Sequence, residues 1–183
     1  MSSPFEVPEA TIPTVSQTTS SCPRVISLKT ADGEIFRVES TVAMEFGAVK
    51  AFYEDNETES WEDNLVVPLP NADAEPLSHV IEYCSKQVQY RQEMKSDAER
   101  DAFSSDFVKS RSNEELKEMI MVANYLNVKD LLELLNQAVA DRIENKSVEY
   151  VRSFFGIQND FTPEEEARLR QENEWAFEGV DQD

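Results

Sequence analysis

One histidine, two cysteines and a surplus of carboxylates are the side chains of this chain best suited to chemistry, and their spacing argues against most of it. His79 and Cys84 share the segment "PLSHVIEYCSKQV" but stand five residues apart, off the spacing that puts two metal ligands on one helical face, and no second pair completes a tetrahedral set. A serine nucleophile needs a neighbouring base, yet His79 is the only histidine, and no serine lies in a nucleophile-elbow setting. Four glycines form no phosphate-cradling loop. Carboxylate pairs arise by chance among 37 Asp and Glu, so none is singled out as an acid–base couple. Cys84 reads as a small core residue and His79 as a surface or half-buried one. The pattern predicts no catalytic residues, no cofactor and no metal.

Charge narrows the partners. Seventeen Lys and Arg against 37 Asp and Glu give a formal charge of −20, which repels nucleic acid and anionic membranes and suits basic or apolar partners. Two cysteines, Cys22 and Cys84, make no disulfide framework, so reduced thiols are expected. No stretch reaches the ~20 apolar residues of a membrane span, and the N-terminus lacks a basic start followed by an apolar run. A cytoplasmic and nuclear location is expected.

The elements follow from periodicity. Met1 to about Pro23 is rich in Ser, Thr and Pro without a hydrophobic period and reads as a disordered tail. "VISLKT" and "EIFRV" form a hairpin around Ala31-Asp32-Gly33. Thr41 is expected to open one amphipathic helix carrying Val42, Phe46, Val49 and Phe52 or Tyr53. Asp55 to Asn64 is acidic and broken, a loop, and "LVVPL" is a third strand whose Pro68 favours an edge. Asp73 caps a helix with the stripe Leu77, Val80, Ile81, Cys84 and Val88. From Gln89 to Arg111 the pattern dissolves, which predicts a flexible connection with a short docked piece. Helices then follow from Ser112 or Asn113, after a tight turn at Asn127, and from Ser147 to Gly156. Strands first and helices afterwards give an α+β fold with a helical C-terminal lobe.

The last helix does not fit a self-contained domain. In "DFTPEEEARLRQENEWAF", Thr162 is an N-cap, Pro163 occupies the first helical position and Glu165 completes a capping box. No continuous apolar stripe follows, and Trp175 stands near the end. Periodicity leaves two possibilities: Trp175 folds back onto the core, or it anchors a partner.

Four segments in order, "VISLKTADGEIFRV", "VVPLPNADAEPLSHVIEYC", "VANYLNVKDLLEL" and "IQNDFTPEEEARLRQENEWAFE", closely resemble the S-phase kinase-associated protein (Skp) family over Val25 to Glu178, with the "NEWAFE" ending most like plant members. The resemblance implies a BTB/POZ fold, a small β-sheet with flanking helices, followed by a C-terminal helical F-box-binding extension. Residues 1–24 would be a disordered tail, 25–126 the BTB/POZ-like domain, 127–178 the helical F-box-binding region and 179–183 an acidic tail. It further implies a non-enzymatic adaptor that bridges F-box proteins to the cullin of an SCF ubiquitin ligase. By position, Asn124 and Tyr125 match the family's cullin-facing pair. Leu116, Ile120, Leu132, Val139, Ile157 and Trp175 match apolar positions on or near the F-box side, although helical spacing alone would place Leu116, Ile120, Leu132 and Val139 in the core. Lys117 departs from the family: in "ELKEM" it replaces an aromatic of the F-box side, and either seeks a partner carboxylate or points to solvent. The competing expectations are an acidic, chaperone-like binder of basic proteins, which salt would dissociate, and a diverged paralogue with few partners.

Overall fold

Side-chain alternation builds the sheet. In the computed structural model, which describes residues 24–55 and 66–180, strand β1 (Val25–Thr30) turns Ile26, Leu28 and Thr30 inward. It pairs antiparallel with β2 (Ile35–Glu39), placing Ile26 opposite Val38 and Leu28 opposite Phe36. Gly33 closes the turn at φ +93°, a conformation that disfavours any Cβ. Strand β3 (Val66–Leu69) lies on the other side of β1 and runs parallel to it, with Leu28 opposite Val67. Pro68 therefore sits on an edge strand, as expected. The tail to Pro23 and most of the acidic loop lie outside the described residues.

The hairpin turn also starts the long helix. Asp73 precedes α3 (Ala74–Gln92) but its side chain makes no capping bond. Asp32 supplies the bond instead: its carboxylate accepts from the Ala74 amide at 3.2 Å and from the Thr30 hydroxyl. These two donors, the hydroxyl foremost, hold the Asp32 carboxyl below the usual range against a smaller opposing desolvation.

The single helix expected from Thr41 is two, α1 (Ser40–Ala43) and α2 (Gly47–Asp55). The break accommodates a distant turn. The Ala48 amide donates to the Leu126 carbonyl at 3.1 Å, and a Cβ on Gly47 would meet Asn127 Nδ2 at 2.7 Å. A helix running straight through would put side chains where that turn packs.

The segment expected to be a flexible connection is helix α4 (Asp97–Lys109). Its start is a capping box: the Glu99 amide donates to Ser96 Oγ at 3.3 Å and the Ser96 amide to the Glu99 carboxylate at 3.1 Å. Its sparse apolar side chains suffice because they are aromatic. Phe103 and Phe107 pack on Tyr83 of α3 with ring centroids 5.9 and 5.3 Å apart. Helices α5 (Asn113–Tyr125) and α6 (Lys129–Ile143) form an antiparallel pair that completes the core with Leu116, Met119, Leu126, Leu131 and Leu135. Arg142 of α6 donates to the carbonyls of Val108 and Arg111 at 3.0 and 2.6 Å, tying down the end of α4.

Three helices end in the same motif, in which a left-handed residue lets its own amide and the next one reach back to the last turn. Asn127 does this after α5, and Gly156 after α7 (Val148–Phe155). After α3 the left-handed residue is Met94, at φ +50° and 91% exposed, with Met94 and Lys95 amides bonded to the carbonyls of Arg91 and Tyr90. An unbranched side chain in this region is disfavoured by about 1 kcal/mol relative to glycine. Met94→Gly is expected to raise the unfolding free energy by up to about that amount, less the entropy glycine loses on folding. A urea midpoint that falls instead would show that the thioether holds a contact of its own.

Candidate functional site

The last forty residues expose what the domain buries elsewhere. Helix α7 buries only Phe154, because Gly156 stops it after two turns. Helix α8 (Pro163–Glu172) buries no side chain, and the one-turn 3₁₀ helix Glu174–Phe177 follows it. Yet α8 is well begun: the Glu165 amide donates to the Thr162 hydroxyl at 3.3 Å, and the Glu165 carboxylate accepts from the Thr162 amide at 3.0 Å. That amide bond, more than the Thr162 hydroxyl, lowers the Glu165 carboxyl below its ordinary value. Phe155, Ile157, Phe161 and Trp175 are all exposed along this arm, Trp175 at 73%. The fold-back alternative for Trp175 is not what the chain adopts. A helix this polar and this well capped has a defined start and no core of its own.

Polar contacts hold the arm to α7. Arg152 donates to Glu166 at 3.1 Å, Asn159 to Glu166 at 3.0 Å, and Arg170 bonds Glu149. The guanidinium of Arg170 also lies 5.1 Å from the Phe177 ring centroid.

The residues assigned to an F-box side do not share one environment. Ile157 and Trp175 are exposed on the arm, and Ile120 and Leu132 are half-buried against the core. Leu132 also lines a shallow groove on α6 with Lys129, Glu133, Asn136, Gln137 and Ala140. Leu116 and Val139, at 0% and 9% exposure, lie in the core between the facing sides of α5 and α6, the place that helical spacing alone gives them. Neither offers a surface in this conformation.

Lys117 finds its partners within the chain. Its ammonium donates to the Phe154 carbonyl at 2.7 Å and to Glu114 at 2.8 Å, and lies 5.6 Å from the Phe154 ring centroid. A cation at the carbonyl end of a helix is well placed, so this lysine fastens α7 to α5.

Asn124 is exposed and Tyr125 half-buried at the end of α5, where burial raises the Tyr125 phenol above its usual value. Met121, one turn earlier, is exposed beside them. It went unremarked in the sequence, although an apolar residue off the α5 stripe was the available signal. Phe155 and Phe161 went equally unassigned.

His79 sits between carboxylates, 3.9 Å from Glu82 and 3.6 Å from Glu115, with Arg111 bridging to Glu82 at 2.7 Å. This is an ion-pair seam between α3 and α5. Burial pushes the Cys84 thiol up to about 12, so it is un-ionised near neutrality and a poor nucleophile. A cleft over Cys84 is lined by Glu45, Arg91, Arg100, Asp101, Lys129 and Asp130, charges that balance one another. Among the described residues no group of three His, Cys, Asp or Glu is placed to hold a metal, and no helix is long and apolar enough to cross a membrane.

Comparison with known proteins accounts for both halves. The tetramerisation domain of the Skp1 family matches residues 24–89 and its dimerisation domain residues 129–176. SKP1-like protein 20 of Oryza sativa subsp. japonica is 41% identical over 172 residues, covering 84% of this chain and 95% of its own length. SKP1-like proteins 1A and 14 of Arabidopsis thaliana are 42% and 44% identical, each covering 84% of this chain and 97% of their own. The three-stranded sheet with its flanking helices, followed by a helical C-terminal part, is the α+β BTB/POZ architecture. With both halves matched and plant relatives this similar along most of its length, the chain belongs to the Skp1 family as a plant-like member.

Proposed function

We propose that the chain is a non-enzymatic adaptor subunit of an SCF ubiquitin ligase, acting in the cytoplasm and nucleus, that holds an F-box protein with its C-terminal arm and a cullin with the end of α5. The observation that supports this best is the arm itself: a capped helix with no buried side chain, followed by Trp175 at 73% exposure. The F-box face comprises Ile120, Leu132, Ile157 and Trp175, joined by exposed Phe155 and Phe161. Leu116 and Val139 back it from the core, and Lys117 acts on it by holding α7. The cullin face comprises Asn124 and Tyr125, extended by Met121. Such an adaptor contributes position, raising the effective concentration of a bound substrate near the ligase. Residues 25–126 would form the platform and 127–178 the receptor-holding region.

The test is reconstitution with a purified F-box domain and a cullin N-terminal domain. The Asn124→Lys/Tyr125→Lys double variant puts bulk and positive charge on one face only. Cullin affinity is expected to fall at least tenfold with F-box affinity within twofold of the parent. Equal loss of both would overturn the two-face assignment. An F-box complex that dissolves in 1 M NaCl would favour the acidic, chaperone-like reading, since apolar contacts survive screening.

A further inference from the structure

We propose that the C-terminal arm is closed onto α7 by a charge latch centred on Glu166, so that ionic strength and acidity, rather than apolar packing, set whether it is open. Helix α8 buries no side chain, so the hydrophobic effect supplies little to hold it. One carboxylate instead collects bonds from three directions. Arg152 of α7 donates to it at 3.1 Å, Asn159 of the linker at 3.0 Å, and Arg170 of α8 itself at 3.4 Å. Arg170 reaches on to Glu149 of α7, extending a chain of alternating charge from Arg152 through Glu166 and Arg170 to Glu149.

Among the described residues Glu166 and Arg152 are, with Arg111 and Glu115, the most shielded of the Arg and Lys ion pairs. The Glu166 and Arg152 side chains are 25% and 18% exposed, whereas pairs such as Lys50–Glu54 and Arg168–Glu172 stand largely in solvent. Partial shielding makes the pair stronger than a surface bridge, which is worth little. The latch also reaches the aromatic tip. The Arg152 guanidinium lies 5.9 Å from the Phe161 ring centroid and that of Arg170 5.1 Å from that of Phe177, next but one to Trp175.

Two dependences follow. Screening shortens to about 3 Å in 1 M salt, the length of the bonds themselves, so the exposed members of the chain of charges weaken first. Acid acts through Glu166, whose carboxyl Arg152 foremost, with Asn159 and Arg170, holds below its ordinary value. A depressed carboxyl contributes its stabilisation fully above the ordinary value and loses it as pH falls through the depressed one. The latch therefore holds at neutral pH and opens in acid.

Amide exchange of the full chain reads the latch directly, because a ten-residue helix without support is marginal in water and its protection reports what holds it. At 0.05 M NaCl the α8 amides are expected to be protected, with protection falling at least tenfold in 1 M NaCl. Glu166→Gln keeps the shape and the Thr162–Glu165 cap, and is expected to show most of that loss already at low salt, with only the smaller further response to salt that the remaining Arg170–Glu149 pair supplies. Arg152→Glu combined with Glu166→Arg is expected to recover at least half of the logarithmic loss seen in Glu166→Arg alone. Salt-insensitive protection, full protection in Glu166→Gln, no recovery in the exchanged pair, or equal losses in α5 and α6 would each overturn the proposal. None of these outcomes depends on which partner the arm takes.

Discussion

Truncating Trp175 to alanine is expected to weaken capture of an F-box domain by about 2 kcal/mol or more, roughly thirtyfold, while leaving the unfolding midpoint of the free chain unchanged. The asymmetry follows from where the indole stands. It is 73% exposed, and neither α8 nor the turn that carries it buries a side chain, so the free fold loses almost nothing when it goes. A bound partner would lose a large apolar anchor at the end of an arm that offers few others. The measurement pairs a urea titration of the free protein with calorimetric binding to one F-box domain. A drop of several kcal/mol in free stability would place the indole in the core and remove the argument for the arm. Unchanged affinity would remove Trp175 from the partner face.

The opposite signature is expected of Leu116→Ala. Removing a fully buried leucine from the seam between α5 and α6 costs about 2–5 kcal/mol of stability, the spread reflecting how far the cavity collapses. Binding of both partners then falls only through the fraction unfolded, and by the same factor. Ile120→Ala, at a half-buried position four residues on, is the comparison: it loses less stability and more F-box affinity for the same kind of truncation. If Leu116→Ala keeps its stability and loses F-box binding alone, α5 opens in the complex and Leu116 belongs to the partner face after all. Family resemblance places a residue near an interface, and burial decides whether it touches the partner or props up those that do.

Local signals in the sequence carried the hairpin, the third strand, the α5–α6 pair and the start of α8, because each announces itself within a few residues. Gly33 and Gly156 are glycines where left-handed backbone is needed, and Thr162, Pro163 and Glu165 spell out a helix start. The misses were of a different kind. Helix α4 has too few apolar residues for a stripe, and it is held by aromatic packing on Tyr83 that only the fold brings about. The break between α1 and α2 is imposed by the Asn127 turn, far along the chain. Asp73 looked like the cap of α3, but Asp32 arrives from the hairpin to do it. The contact of Lys117 with the Phe154 carbonyl is likewise invisible without α7. At the candidate site Leu116 and Val139 are buried, where helical spacing alone places them, while Trp175 and Ile157 belong to no apolar stripe and only the fold shows them exposed.

The sheet has two joints of unequal kinetic cost. Strands β1 and β2 meet across a four-residue connection, a closure that takes microseconds in a hairpin. Strand β3 joins β1 in parallel, setting Ser27 opposite Val66 with β2, α1 and α2 all in between. A parallel pair admits no short connection, so the chain must close that long loop before Leu28 and Val67 reward it. The α5–α6 pair, joined by a tight turn, needs no such closure. The β3–β1 joint is thus a non-local closure, as is the docking of the Asn127 turn on Gly47, and Val67→Ala is expected to slow refolding more than a change at Gly33 of the hairpin's tip.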